Sequence, residues 1–165
     1  MTVDVIYDIG DWIVHNYYGV GQIKRIEKRK IHGEKVNTFR VQTKDSVYWV
    51  PVKKVDNPRI RRVVNKRKFR RALRALRSKP EEMSKNYKTR QAHIKEVFED
   101  GSIRNLAKLL RDLYQLARTK KLNTTEQDAV EKIEERFIRE YAACYEVPLG
   151  EARNKLKDTF AVIAK

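Results

Sequence analysis

Apolar residues recur with two different periods along this chain, and the change comes near residue 58. Over 1–55 they fall in short runs with the two-residue repeat of strands. Trp12-Ile13-Val14 follows Gly10-Asp11, residues 20–28 alternate, residues 39–43 alternate again, and Val47-Tyr48-Trp49-Val50 runs into Pro51. His32-Gly33 marks a turn. Short runs parted by glycine and polar residues leave no room for a helix between them, which predicts a small antiparallel barrel or curled sheet. Pro51 lacks the N–H of a central ladder position, so it ends a strand or lies at an edge.

After Asn57-Pro58 the repeat becomes helical. Phe69, Leu73 and Leu76 share one face, with arginines around the rest, and Pro80 closes that helix. Residues 81–99 are expected to form another helix, ending near Asp100-Gly101. Ser102 is placed to cap the next one, whose seam is Ile103, Leu106, Leu110, Leu113 and Ala117. The stretch 123–127 offers capping-box spacing, either Thr124 with Gln127 or Asn123 with Glu126. Val130, Ile133, Phe137, Tyr141 and Tyr145 continue in register to Pro148, and Leu149–Ala164 reads as a last amphipathic helix. Such stripes are the buried faces of a helical bundle. No repeat at solenoid periods is present.

Charge sharpens the division. Residues 1–80 hold 21 Lys and Arg against 7 Asp and Glu, a balance of +14, whereas residues 81–165 hold 17 against 15, a balance of +2. Eleven cations and no acid lie within 59–79. Like charges this dense repel unless an anion neutralises them, so the segment points to a polyanion such as nucleic acid.

Nothing in the sequence argues for catalysis. Gly19-Val20-Gly21 precedes a strand, whereas a phosphate-binding loop feeds a helix, so these glycines are expected in a tight turn of the sheet. His15, His32 and His93 lack metal-ligand spacing, and His32 is expected to face solvent. Cys144, the single cysteine, is expected as a small buried hydrophobe. The carboxylates Glu131, Glu134 and Glu135 interleave with Lys132 and Arg136, the pattern of a solvated helix face. Neither an enzyme, a cofactor nor a small-molecule substrate is expected. The first four residues lack the basic and apolar regions of a signal peptide, and no window reaches the roughly 18 apolar residues of a membrane span. A cytoplasmic, nucleoid-associated monomer is expected.

Particular residues also carry a resemblance. Ile9-Gly10-Asp11-Trp12-Ile13-Val14-His15, Gly19-Val20-Gly21-Gln22-Ile23, Ile26-Glu27, Ile31-His32-Gly33 and Val50-Pro51-Val52 resemble the opening module of CarD/CdnL-type bacterial transcription regulators, shared with the transcription-repair coupling factor. Asn86-Tyr87 with Arg90, Asp100-Gly101, Leu106-Ala107, Leu110-Arg111-Asp112-Leu113-Tyr114, residues 122–126 and Glu140 resemble the same family's second half. No helicase motif accompanies them.

The resemblance implies an α+β chain: a Tudor/SH3-like antiparallel β-barrel over 1–58, docking on the β subunit of bacterial RNA polymerase, then a compact all-helical domain over 59–165 touching promoter DNA. Residues 59–79 would form a basic connecting helix. It implies polymerase contacts at Arg29 and at Trp49, where the family often carries a cation. It places a minor-groove wedge at the upstream edge of the transcription bubble on Tyr87, or on Met83 if a gap is allowed. Lys88 and Arg90 would hold flanking phosphates. Arg67, Lys68, Arg70 and Arg71 of the basic helix would add an electrostatic contact. The implied function is stabilisation of the open promoter complex without sequence readout. The alternative is a standalone DNA- or RNA-binding protein of the nucleoid or ribosome. Membrane attachment through the basic helix ranks last, because its apolar face is narrow and lacks Trp.

Overall fold

The structure is a computed structural model that describes residues 7–53 and 57–165; residues 1–4, read above for a leader, lie outside them. Contacts divide the chain into two compact units, Met1–Val63 and Val64–Lys165.

The first unit is a five-stranded antiparallel sheet of β1 (Trp12–His15), β2 (Gly19–Ile31), β3 (Glu34–Gln42), β4 (Val47–Pro51) and β5 (Ile60–Arg62), in the order β4-β3-β2-β1-β5. It is the Tudor-like arrangement expected. Ile31 pairs with Glu34 across His32-Gly33, whose φ angles of 49° and 84° are the positive pair that a tight two-residue hairpin requires. At Gly21 a Cβ would come within 2.9 Å of the Val41 Cγ1 and 3.1 Å of the Gln42 carbonyl, so close strand approach demands glycine there.

One face of the sheet holds the core of Ile13, Ile23, Phe39, Val41, Tyr48 and Val50. A register shift at Lys24 sets the opposite face. Ile23 pairs with Val41 and Arg25 with Arg40, so Lys24 is the extra residue of a bulge. Ile23 and Ile26, three apart, therefore point to the same side, and Arg25, Glu27 and Arg29 line the other.

Residues 60–62 depart from the expectation of a helix over 59–79. They form β5, with His15 paired to Ile60 and Val14 to Arg61. Three residues are too few to show a period, and the β1 edge supplies hydrogen bonds that local sequence does not reveal. The boundary between units accordingly lies at 63/64 and not at 58/59.

The second unit comprises α1 (Lys66–Leu76), α2 (Tyr87–Asp100), α3 (Ile103–Thr119), α4 (Thr124–Tyr145) and α5 (Leu149–Ala164). Asn65, Asn86, Ser102 and Asn123 cap the first four, each accepting a backbone N–H with its side chain. For α4 the capping box is Asn123 with Glu126. The core gathers Phe69, Leu76, Leu106, Leu110, Leu113, Ile133, Phe137 and Leu156. Ala117, expected in the α3 seam, is exposed in its last turn, and Cys144 is half-buried, with burial pushing its thiol pKa up.

Helix α2 starts six residues later than expected. Asp112 on α3 takes the backbone N–H of Glu81 at 2.9 Å and also holds Arg111, whose Nη1 donates to the Ser78 hydroxyl at 2.7 Å. These bonds anchor Ser78 and Glu81, on either side of Pro80, and hold that segment irregular. Among the described residues no helix is long and apolar enough to cross a membrane.

Candidate functional site

On the sheet face away from the core, the bulge and the pairing of Arg40 with Trp49 collect a polar cluster. The Arg29 guanidinium lies 3.7 Å over the Trp49 ring. The indole N–H of Trp49 donates to Glu27 Oε2 at 2.9 Å, and the other Glu27 oxygen pairs with Arg25 and, at 3.9 Å, with Arg40. The Trp49 hydrogen bond is the main reason that the Glu27 carboxyl lies below the usual carboxylate range, with Arg25 and Arg40 adding to it against some desolvation. Sequence reasoning thus named two residues, Arg29 and Trp49, that the fold brings into contact. It gave no role to Glu27, which accepts the hydrogen bond of the tryptophan; the signs in the sequence were its place in the Ile26-Glu27 pair of the resemblance and its being a lone acid among the cations of 24–30.

In the helical unit Tyr87 is the first residue of α2 and is 48% exposed. Its hydroxyl accepts from Gln91 Nε2 at 2.6 Å, and Lys88 beside it is exposed. Met83 is half-buried against the helical core, so of the two expected positions Tyr87 is the more exposed.

Arg90 is not a surface cation. It is 4% exposed, with Nε 2.6 Å from Glu126 Oε1 and Nη1 donating at 3.1 Å to the carbonyls of both Ser84 and Lys85. Its expected phosphate contact is revised accordingly: the guanidinium sets the loop before Tyr87 against the start of α4. Burial pushes the Glu126 carboxyl up, but the Asn123 N–H and the Arg90 guanidinium outweigh it and the pKa falls below the usual value. Arg90 and Glu126 stand 36 residues apart, so neither announces the other in the sequence.

Helix α1 turns Phe69, Ala72 and Leu76 inward. The Phe69 ring meets Phe137, Tyr141 and Tyr145 of α4 edge-on, at 5.7, 5.4 and 6.0 Å. Arg67, Lys68, Arg70, Arg71 and Arg74 are exposed, and none joins an ion pair among the described residues. Lys66 lies 5.3 Å over the Tyr145 ring. The expected basic face exists on 66–76. Among the described residues no His, Cys, Asp and Glu cluster could hold a metal.

Comparison with known families resolves the sequence into two consecutive matches. Residues 7–64 match the CarD-like/TRCF RID domain, and residues 71–157 match the CarD C-terminal domain. The chain belongs to the CarD family. It is therefore a transcription-related protein that interacts with RNA polymerase. The first CarD match ends one residue past the structural boundary at 63/64 and takes in β5.

Proposed function

We propose that this CarD-family protein docks on the β subunit of RNA polymerase through the Arg29–Trp49 face and stabilises the open promoter complex by placing Tyr87 in the minor groove at the upstream edge of the bubble. The observation that carries the reading is Tyr87 itself. It is a large ring, half exposed, on a helix start pinned from beneath by the Arg90–Glu126 pair and flanked by the exposed cation Lys88. A wedge must be rigid at its base and open at its tip, and these residues meet both needs.

Unstacking a duplex step costs a few kcal/mol, and an inserted apolar ring offsets part of that cost. Tyr87 stabilises the melted promoter only by its difference in affinity for melted and closed states. Lys88 and the α1 face add phosphate contacts that position without reading sequence. Docking on polymerase raises the local concentration, so intrinsic DNA affinity can be weak.

The test is the lifetime of open complexes formed with polymerase, measured after a competitor challenge. Tyr87→Ala should shorten it while leaving polymerase binding intact, and Tyr87→Trp should lengthen it. An unchanged lifetime in both variants removes the wedge.

A further inference from the structure

The turn between β1 and β2 presents an aromatic surface that neither contact proposed above uses. Tyr17 is 82% exposed and Tyr18 42%. Their rings meet edge to face, 5.0 Å apart, and Tyr18 stacks nearly parallel on Tyr48 at 4.9 Å. The His15 ring lies 4.7 Å from Tyr18 and 5.0 Å from Tyr48. The backbone is fixed as well. His15 Nδ1 accepts the N–H groups of Tyr17 and Tyr18 at 3.0 and 3.2 Å, and the Asn16 N–H donates to the Arg59 carbonyl at 2.8 Å. Rings held on a fixed turn lose little freedom when something stacks on them.

Charge selects the occupant. Residues 12–22 contain no Asp or Glu, and the neighbouring 57–63 segment carries Arg59, Arg61 and Arg62 without an acid. Arg62 is paired with Asp11 at 3.6 Å, while Arg59 is exposed beside the turn through its bond to Asn16. Exposed ring faces next to guanidinium groups match unpaired bases on a phosphate backbone. A duplex hides its base faces and would use the charge alone. An acidic peptide would meet the arginines and leave the stacked rings without a matching partner.

We propose that Tyr17 and Tyr18 form a stacking platform for single-stranded nucleic acid on the first unit, with Arg59 contacting the backbone. The platform is independent of the Tyr87 wedge, which lies on the other unit.

The test is fluorescence anisotropy of the full-length protein with labelled dT20 and with an abasic phosphodiester strand of equal length and charge. The protein should bind dT20 about tenfold more tightly than the abasic strand. Tyr17→Ala with Tyr18→Ala should abolish that preference, and Tyr17→Phe with Tyr18→Phe should keep it. Because Tyr18 also supports Tyr48, the single variant Tyr17→Ala guards against a folding defect and should lose most of the preference. An rU20 arm tells whether DNA or RNA is favoured, and a base preference for either supports the platform. Equal binding of dT20 and the abasic strand by the unaltered protein, or a preference surviving in Tyr17→Ala, overturns it. Loss of polymerase binding in Tyr17→Ala with base preference intact would assign the surface to a protein partner and overturn it equally.

Discussion

The guanidinium of Arg29 lies over the indole of Trp49, 3.7 Å from the ring centre, although they are twenty positions apart in the chain and an intervening strand separates theirs. At the second position where the resemblance implies a polymerase contact, this chain has an indole, and it stacks on Arg29. Stacking a guanidinium on Trp contributes about 0.5–2 kcal/mol and narrows its orientations. On the face proposed to dock, Arg29 is thereby pre-oriented, and Glu27 accepts the hydrogen bond of the indole beneath it.

Polymerase affinity should depend on that arrangement as a unit. Arg29→Glu should abolish capture of the β subunit. Trp49→Ala and Glu27→Ala should each weaken it several-fold, and the double variant should lose less than the two effects combined, because both act through Arg29. Binding titrations against core polymerase measure this. Additive losses would mean that Glu27 does not act through Trp49. The fluorescence of the free protein checks the Glu27–Trp49 bond without any partner, since losing the acceptor should shift the Trp49 emission.

The buried Arg90–Glu126 pair should govern the stability of the helical unit and its dependence on acid. Glu126→Gln leaves the Arg90 charge uncompensated and should cost about 3 kcal/mol at neutral pH. Because the Glu126 carboxyl titrates below its ordinary value in the folded protein, its stabilisation is complete above the unfolded value and is lost as pH falls through the folded one. The gap between the unaltered protein and Glu126→Gln should therefore narrow below about pH 4. Urea unfolding from pH 7 to pH 3 reads this directly. A constant gap would show that the charge of Glu126 contributes nothing.

The exposed cations of α1 should determine the salt dependence of duplex binding. Replacing Arg67, Lys68, Arg70 and Arg71 with Gln should flatten the slope of log K against log salt by about 3–4 units if each neutralises one phosphate. These side chains lie outside the core, so thermal stability should change little. An unchanged slope would direct that face to a partner other than phosphate.

Gly21→Ala should destabilise the sheet by about 1–3 kcal/mol, since the new Cβ meets Val41 and the Gln42 backbone. Gly150→Ala, where a Cβ meets nothing within 4 Å, is the control and should be neutral or stabilising. Thermal unfolding of both variants decides the matter.

Local physics made much of this molecule readable in one dimension. A strand or helix that buries one face must repeat its apolar residues at two or about 3.6 positions, so residues 39–43 and 47–50 and the seams of α3 and α4 showed themselves. Caps and breakers act within four residues, so Ser102 and Pro148 marked their helix ends, while the start of α4 offered two boxes, of which the structure forms Asn123 with Glu126 and not Thr124 with Gln127. The density of cations in 59–79 likewise needed only counting.

What remained hidden depends on which element lies opposite. Residues 60–62 became a strand because β1 offered an open edge, and α2 began at Tyr87 because Asp112 and Arg111 hold the segment before it. Arg29, Lys88 and Arg90 are alike as cations in a sequence. Packing stacked the first on an indole, left the second in solvent and buried the third against Glu126. The fate of a charged side chain is set by the dielectric around it and by the carboxylates or rings within a few ångströms, and both are properties of distant segments meeting in space.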